Sequence, residues 1–540
     1  MEQQRHKRLY GLHEWTGNLF GLFLFVVSFT GTVALFYDEF TFWEATELRS
    51  AAYAGEYIAP ESLVDAHLAS YPEGTTFANL FLRLPSETAG YYELFGRHTA
   101  PAADGEAASK PEDINVRWHA ATGAELNDRG DGLAHWLVDI HRHLMLPNRT
   151  IGRFLVGIAG LVMLVSIITG IFTHQKILKE LFTLRVGRSK RLQWKDTHNA
   201  LGAWALPFHG MIAFSGAYLG LVVILLPVFA MVAFNGDQEA AIETVIGKPV
   251  EAAGVAASPY PISDAVQAVE ESGGYRASGV RLDQYGDTNA RYEVFLEIDD
   301  RLLLSSTVRV DGVTGEGADR APMIIEGGGQ ENATVAEQVL NAMVALHYAT
   351  YGGIWLKILY IGLGAALCIM VGTGLMVWVE RRANGSIGNL SRQTYLRISR
   401  LNTGVMMGLL PATVLLFYVD RLVPVAADER LTVIGWTYLG TWIACTLLST
   451  VIPNSRAFVR TVLIASGVLG IGVLPLDALT LGDASLLAPA QRTALGLDFG
   501  AVLLGLLALF VGLGLNRLYA PKVQRGGSLE RAGATALPQS

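Results

Sequence analysis

The chain has 540 residues, 51% of them hydrophobic and 17% charged, with a formal net charge of −8. Its apolar residues gather in long uncharged runs, a membrane composition that excludes a soluble globular enzyme, and the acidic excess speaks against nucleic acid as a partner. The two cysteines, Cys368 and Cys445, both fall inside apolar runs, which leaves neither a disulfide framework nor a thiolate metal site to build on.

The first predicted element is a membrane helix in residues 1–39, spanning 12–37. Residues 20–36 carry no charge and approach the ~18–20 residues that cross a hydrocarbon core. Arg5, His6, Lys7 and Arg8 precede it, as in a signal peptide, but no small-residue cleavage site follows, so it reads as a retained anchor. Residues 40–140 form a first soluble insert, with a helical pattern at 61–70 and strand-like alternation at 76–84 and 91–95. Residues 141–234 hold the second and third spans, 150–173 and 198–234, around a basic loop at 174–197. That loop carries Lys176, Lys179, Arg185, Arg188, Lys190, Arg191 and Lys195 against Glu180. The positive-inside rule places it in the cytoplasm. The acidic stretch from Asp237 to Glu331, with residues 38–140, then faces the periplasm of a bacterial inner membrane.

A second insert follows at 235–340, with a helix at 263–272 and strands at 290–298 and 302–310 about the turn-forming Asp299-Asp300. Each insert reads as a small α+β domain. A fourth span, 350–379, lies within 341–382, and a basic cytoplasmic linker occupies 383–401. The region 402–520 holds four further spans, at 402–424, 431–452, 457–477 and 493–518, before a cytoplasmic tail at 521–540. The expected fold is therefore an α-helical polytopic membrane protein with eight spans and both termini cytoplasmic.

Internal similarity is visible at matched spacings. Thr30-Gly31 follows His13 as Ser215-Gly216 follows His198, with 17 residues from histidine to hydroxyl in both. Gly170 lies 27 residues beyond His143, and Gly374 lies 27 beyond His347. The inserts end alike, in His119-Ala120-Ala121-Thr122-Gly123-Ala124-Glu125-Leu126 and Asp311-Gly312-Val313-Thr314-Gly315-Glu316-Gly317-Ala318. A unit of helix, insert and helix is duplicated, and two parallel copies predict a four-helix core about a pseudo-twofold axis along the membrane normal.

None of the 12 histidines lies beyond residue 347. A single histidine at a membrane rim is ordinarily an interfacial group. Matched histidines in corresponding helices point further, to one pair near each face: His13 with His198 on the cytoplasmic side, and His143 with His347 on the other. Paired imidazoles from neighbouring helices are the axial ligand set of a haem iron. Gly17 and Gly202 follow their histidines by four residues on the same helical face and remove bulk where a flat macrocycle would press, although such glycines also permit close helix packing. His141 competes with His143, because Ile140-His141 matches Leu346-His347 in context whereas the 27-residue spacing favours His143. His209, 11 residues beyond His198 and so about three turns on along the same helical face, is a substitute ligand, a further haem's ligand or part of a polar network. His174, closing the second span, is a cytoplasmic-side alternative. Asp196 reads as a helix-capping carboxylate. No phosphate loop or dinucleotide fingerprint is present, so electrons would come from a quinol or a separate cytosolic donor.

The segments Leu12-His13-Glu14-Trp15-Thr16-Gly17, Thr169-Gly170-Ile171-Phe172-Thr173-His174, Phe182-Thr183-Leu184-Arg185, Trp194-Lys195-Asp196-Thr197-His198-Asn199 and Leu346-His347 together resemble the PepSY-associated transmembrane-helix family, and the inserts look like PepSY-type domains. The resemblance covers residues 8–382. It implies a kinship with inner-membrane ferric-siderophore reductases that hold two b-type haems. On that resemblance His13 and His198 match the cytosolic-side histidines, and His141 or His143, with His347, the periplasmic ones. The implied activity is electron transfer to a periplasmic ferric-siderophore or other ferric chelate, releasing Fe(II). The spans after 400 depart from the shorter reductases. A membrane regulator or sensor of periplasmic peptidases, and a siderophore or iron transporter, are the alternatives; neither requires histidine pairs at opposite faces.

Overall fold

The computed structural model describes residues 2–46, 57–86, 90–101, 110–126, 132–174, 189–241, 250–296, 307–317, 335–384, 389–424, 427–480 and 492–518. Asp299-Asp300, most of the basic loop at 174–197 and the tail at 521–540 lie outside the described residues. The helices are α1 (Glu2–Ala34), α2 (Tyr37–Glu44), α3 (Pro60–Leu68), α4 (Leu133–His143), α5 (Arg149–Thr173), α6 (Lys190–Trp204), α7 (Leu206–Ala233), α8 (Ile262–Gly273), α9 (Val335–Tyr348), α10 (Gly353–Ala383), α11 (Arg392–Leu422), α12 (Ala427–Val451), α13 (Ser455–Thr480) and α14 (Arg492–Leu518). The strands are β1 (Thr76–Arg83), β2 (Tyr91–Thr99), β3 (Glu112–His119), β4 (Ala277–Asp283), β5 (Arg291–Leu296) and β6 (Thr307–Asp311).

Among the described residues seven helices are individually long and apolar enough to span a membrane: α1, α5 and α10 to α14. The expected third span is not one helix. It breaks between Trp204 and Leu206 with a bend of 73°, making α6 and α7 an eighth span only if the bent pair is counted together. Pro207 explains the break: it lies in the first turn of α7, where its missing N–H costs nothing, and it cannot continue α6. His198 and His209 therefore do not share one helical face.

The core packs α1 against α5 and α10, α10 against α6, and α5 against α7. Small residues set the closest crossing. A Cβ on Gly157 would stand 2.9 Å from the Gly220 carbonyl carbon, and one on Gly220 would stand 2.5 Å from the Gly157 Cα, so α5 and α7 touch backbone to backbone. Asn148 caps α5, its side chain accepting from the Ile151 N–H at 3.1 Å, and Ser391 caps α11 by accepting from Thr394 at 3.2 Å.

The two inserts, each expected as a unit of its own, build one antiparallel six-stranded sheet in the order β3-β2-β1-β4-β5-β6. The join is β1 on β4, with Leu80 opposite Leu282 and Leu82 opposite Val280. These four side chains are buried and belong to a single core beneath α3 and α8. The helices are tied directly, since the Glu61 carboxylate accepts from Ser263 Oγ at 2.7 Å and from its N–H at 3.1 Å. The matched motifs at the insert ends form matched turns: the His119 carbonyl accepts from Gly123 N–H at 2.8 Å and the Asp311 carbonyl from Gly315 N–H at 2.9 Å. Gly123 and Gly315 have φ of 67° and 74°, a region open to glycine without steric cost.

Candidate functional site

Four histidines from four helices converge in two pairs. Near the chain's N-terminal end, His13 of α1 and His198 of α6 lie with ring centroids 6.1 Å apart and planes at 69°. Toward the sheet, His141 of α4 and His347 of α9 lie 6.3 Å apart with planes at 22°.

Each imidazole is seated on a neighbouring helix in the same way. His13 Nδ1 donates to the Ser166 carbonyl at 2.9 Å, His198 Nδ1 to the Met370 carbonyl at 2.8 Å, and His141 Nδ1 to the Val27 carbonyl at 3.0 Å. His347 Nδ1 meets Ser215 Oγ at 3.0 Å, and that hydroxyl spends its own hydrogen on the Met211 carbonyl at 2.8 Å. A hydroxyl residue followed by glycine marks each seat: Thr169-Gly170, Thr373-Gly374, Thr30-Gly31 and Ser215-Gly216. Each hydroxyl donates to a carbonyl one turn earlier, at 2.8–2.9 Å. Each glycine leaves room for the ring edge. A Cβ there would lie 3.2 Å from His13 Cε1 at Gly170, 3.0 Å from His198 Cε1 at Gly374, 2.6 Å from His141 Cε1 at Gly31 and 3.1 Å from His347 Cε1 at Gly216.

The consequence is chemical. A carbonyl accepts only, so the ring nitrogen facing it carries the proton and the imidazole is the Nδ1–H tautomer, with the Nε2 lone pair directed away from the seat. His347 reaches the same state through a hydroxyl already committed as a donor. Outside the spans, removal from water, opposed by the Val27 carbonyl, pulls His141 down to about 4, and burial, aided by His141 nearby, pulls His347 down to about 3. Both rings are neutral in ordinary conditions, the form in which imidazole ligates a metal.

The seats fall into two sets: α1 and α4 histidines seat on α5 and α1, and α6 and α9 histidines seat on α10 and α7. Each pair joins one set to the other. Among the described residues no group of three or more His, Cys, Asp or Glu side chains is placed to hold a metal ion, so each end offers two protein donors.

The remaining sequence candidates stand elsewhere. His143 does not face His347. It is buried, with Nδ1 3.1 Å from Asp139, which also meets His135 at 3.1 Å and Arg149 at 3.0 Å. The 27-residue spacing that favoured His143 assumes equal connections into the following spans, but His141 lies eight residues before Arg149 whereas His347 lies six before Gly353. The α4–α5 connection turns through Leu144 and Met145, both at positive φ, and takes the extra residues. His209 is buried, and its Nε2 has no hydrogen-bond partner among the described residues. His174 ends α5, its backbone N–H on the Gly170 carbonyl at 3.0 Å. A Cβ on Gly17 would meet nothing within 4 Å, and one on Gly202 would meet Met370 Sδ at 3.2 Å. Asp196 is buried within α6 and Ser189 occupies the N-cap, so its expected capping role is not realised. Sequence reasoning missed Tyr360, whose hydroxyl donates to the Leu346 carbonyl at 2.8 Å and braces the end of α9 beside His347.

The family model for the PepSY-associated TM region matches residues 10–381, which contain both histidine pairs and all four seats. A Pseudomonas aeruginosa protein described as uncharacterized is 26% identical over 393 residues, an alignment that takes in 69% of this chain and 92% of that one.

Proposed function

The chain belongs to the PepSY-associated TM region family, and from its two seated histidine pairs we propose that it is a transmembrane haem-b oxidoreductase with two haems. The observation that carries this reading is the separation of the rings. Imidazole–metal bonds are about 2.0–2.1 Å, and each ring centroid lies about another 1.2 Å behind its nitrogen. One metal atom held axially between two imidazoles therefore sets their centroids roughly 6.4 Å apart. The observed 6.1 Å and 6.3 Å fit that span. Two protein donors are what a macrocycle-bound iron needs, because the porphyrin supplies the other four.

His13 and His198 would hold the haem nearer the N-terminal end, and His141 and His347 the one nearer the sheet. When bound, the haems supply one-electron redox chemistry. The chain's own work is to fix the rings: the carbonyls and hydroxyl hold Nδ1–H, orient the plane and raise the basicity of Nε2. The surrounding helices leave each of the four rings only partly exposed. Electrons would enter from a quinol or cytosolic donor and leave to a periplasmic ferric chelate, each electron converting one chelated Fe(III) to Fe(II), which carboxylate and hydroxamate donors hold less tightly.

The test is spectroscopic. The purified chain is expected to be red, to bind two haems per molecule, and to show a low-spin bis-histidine spectrum that shifts on dithionite reduction. The 69° and 22° ring angles add a finer expectation of two distinguishable low-spin paramagnetic resonance signals, because the relative orientation of axial rings splits the iron d orbitals differently. Colourless protein from haem-replete cells would overturn the proposal in favour of a regulator without redox activity.

A further inference from the structure

On the opposite side of α4 from its seat on α1 lies a polar cavity of about 290 Å³, lined by His135, Asp139, Arg142, His143, Arg149 and Arg153 together with small and apolar groups of α5 and α7. Three guanidinium groups meet one carboxylate there. Asp139 is already engaged by His135, His143 and Arg149. Neither Arg142 nor Arg153 has an acidic partner among the described residues. The Arg149 side chain is 63% exposed, so the cavity opens to solvent. Its size sits at the small end of ligand pockets, room for a few-carbon anion and not for a lipid.

We infer that this pocket binds the carboxylates of a small anionic ferric chelate. Guanidinium forks match carboxylates in bidentate geometry, and two of the three here are uncommitted. The position suits an acceptor. Arg142 and His143 flank His141 in sequence, and the pocket is separated from the outer histidine pair by α4 alone, a thickness of about 10 Å. The electron that converts the bound Fe(III) to Fe(II) comes, through that pair, from the quinol or cytosolic donor of the proposed function. That role rests on the haem reading, whereas the anion site itself does not.

The full chain, purified in detergent, should be titrated calorimetrically with gallium(III) citrate, a redox-inert stand-in, and with citrate alone. Saturable binding is expected, weakened at least about tenfold by Arg142→Ala with Arg153→Ala, the loss of two charge-assisted contacts. Haem absorbance per chain and gel-filtration elution should be unchanged, and Arg153→Lys, which keeps the charge but loses the fork, should bind more weakly than the parent and more tightly than the double variant. Undiminished binding in the double variant, or none in the folded parent, overturns the site. Loss of haem from the double variant also overturns it, because the arginines then serve the cofactor's own carboxylates. Colourless protein that still binds gallium citrate through these arginines sinks the redox function and leaves the site standing.

Discussion

In the region of the first ten helices the four paired imidazoles are each held by a carbonyl or hydroxyl group of a neighbouring helix. In the last four helices carboxylates and guanidinium groups are held by one another. There Arg421 lies 3.8 Å over the Trp43 ring, meets Asp477 at 2.8 Å and Asp420 at 3.2 Å, while Arg430 meets Glu44 at 3.3 Å and also bonds Asp420. Trp43 donates to Asp498 at 2.8 Å. This network draws on α11, α12, α13 and α14 and clasps α2, which follows directly on α1. The difference is one of valence. An ion network closed on itself holds helices together and leaves little for a ligand, whereas a ring secured through one nitrogen presents the other.

The largest expected effect breaks one pair of the core. His347→Ala is expected to remove the outer haem and leave about half the haem per chain, with the signal of the remaining pair intact. His143→Ala should leave haem content unchanged, since Asp139 and not His347 is its partner. Equal losses in both variants, read from haem extracted per protein, would return His143 to the site.

How much of this was legible in the sequence varies from element to element. The pairing of His13 with His198 was readable from the matched 17-residue spacings to the next hydroxyl, although the second of these spacings crosses the bend between Trp204 and Leu206. The choice between His141 and His143 was not, because a turn with two residues at positive φ intervenes and residue counts do not carry rotation across it. The hydroxyl–glycine pairs were visible as repeat marks, but their use as seats for rings of other helices is tertiary. The strands expected at 76–84 and 91–95 correspond by alternation to β1 and the first part of β2; β3, β4 and the single shared sheet were not legible, and the join of β1 to β4 brings together segments about two hundred residues apart. The bend at Ala205 was announced by Pro207 alone.

The next effect probes the other region. Arg421→Ala takes a guanidinium from the buried Asp477 and Asp420 carboxylates and from the Trp43 ring. Breaking a buried pair in this way costs about 3–5 kcal/mol. A clear drop in the thermal unfolding midpoint in detergent is expected, with both haem signals unaltered at temperatures where the chain is folded. Loss of a haem signal at those temperatures would show that the clasp positions the core, and the two regions would have to be treated as one cooperative unit.

The smallest effect concerns how protons divide over the clasp. Burial pushes Glu44 from an ordinary value of 4.5 to about 7, with Arg430 opposing and Asp420 adding to the rise. The folded chain thus binds this proton more tightly than the unfolded chain, so the contribution of Glu44 to stability is full below about 4.5 and is lost as pH rises through about 7. The protonated carboxyl still accepts from Arg430 and removes one negative charge from a cluster that has more acids than arginines. Glu44→Gln keeps the shape and the hydrogen-bonding oxygen without the ionisation. Its thermal midpoint is expected to change less than that of the parent between pH 5 and pH 8, and to exceed the parent's at pH 8. A parent midpoint that instead rises across that interval would mean that the ionised Glu44–Arg430 pair outweighs its burial, and that the clasp is held by full charges throughout.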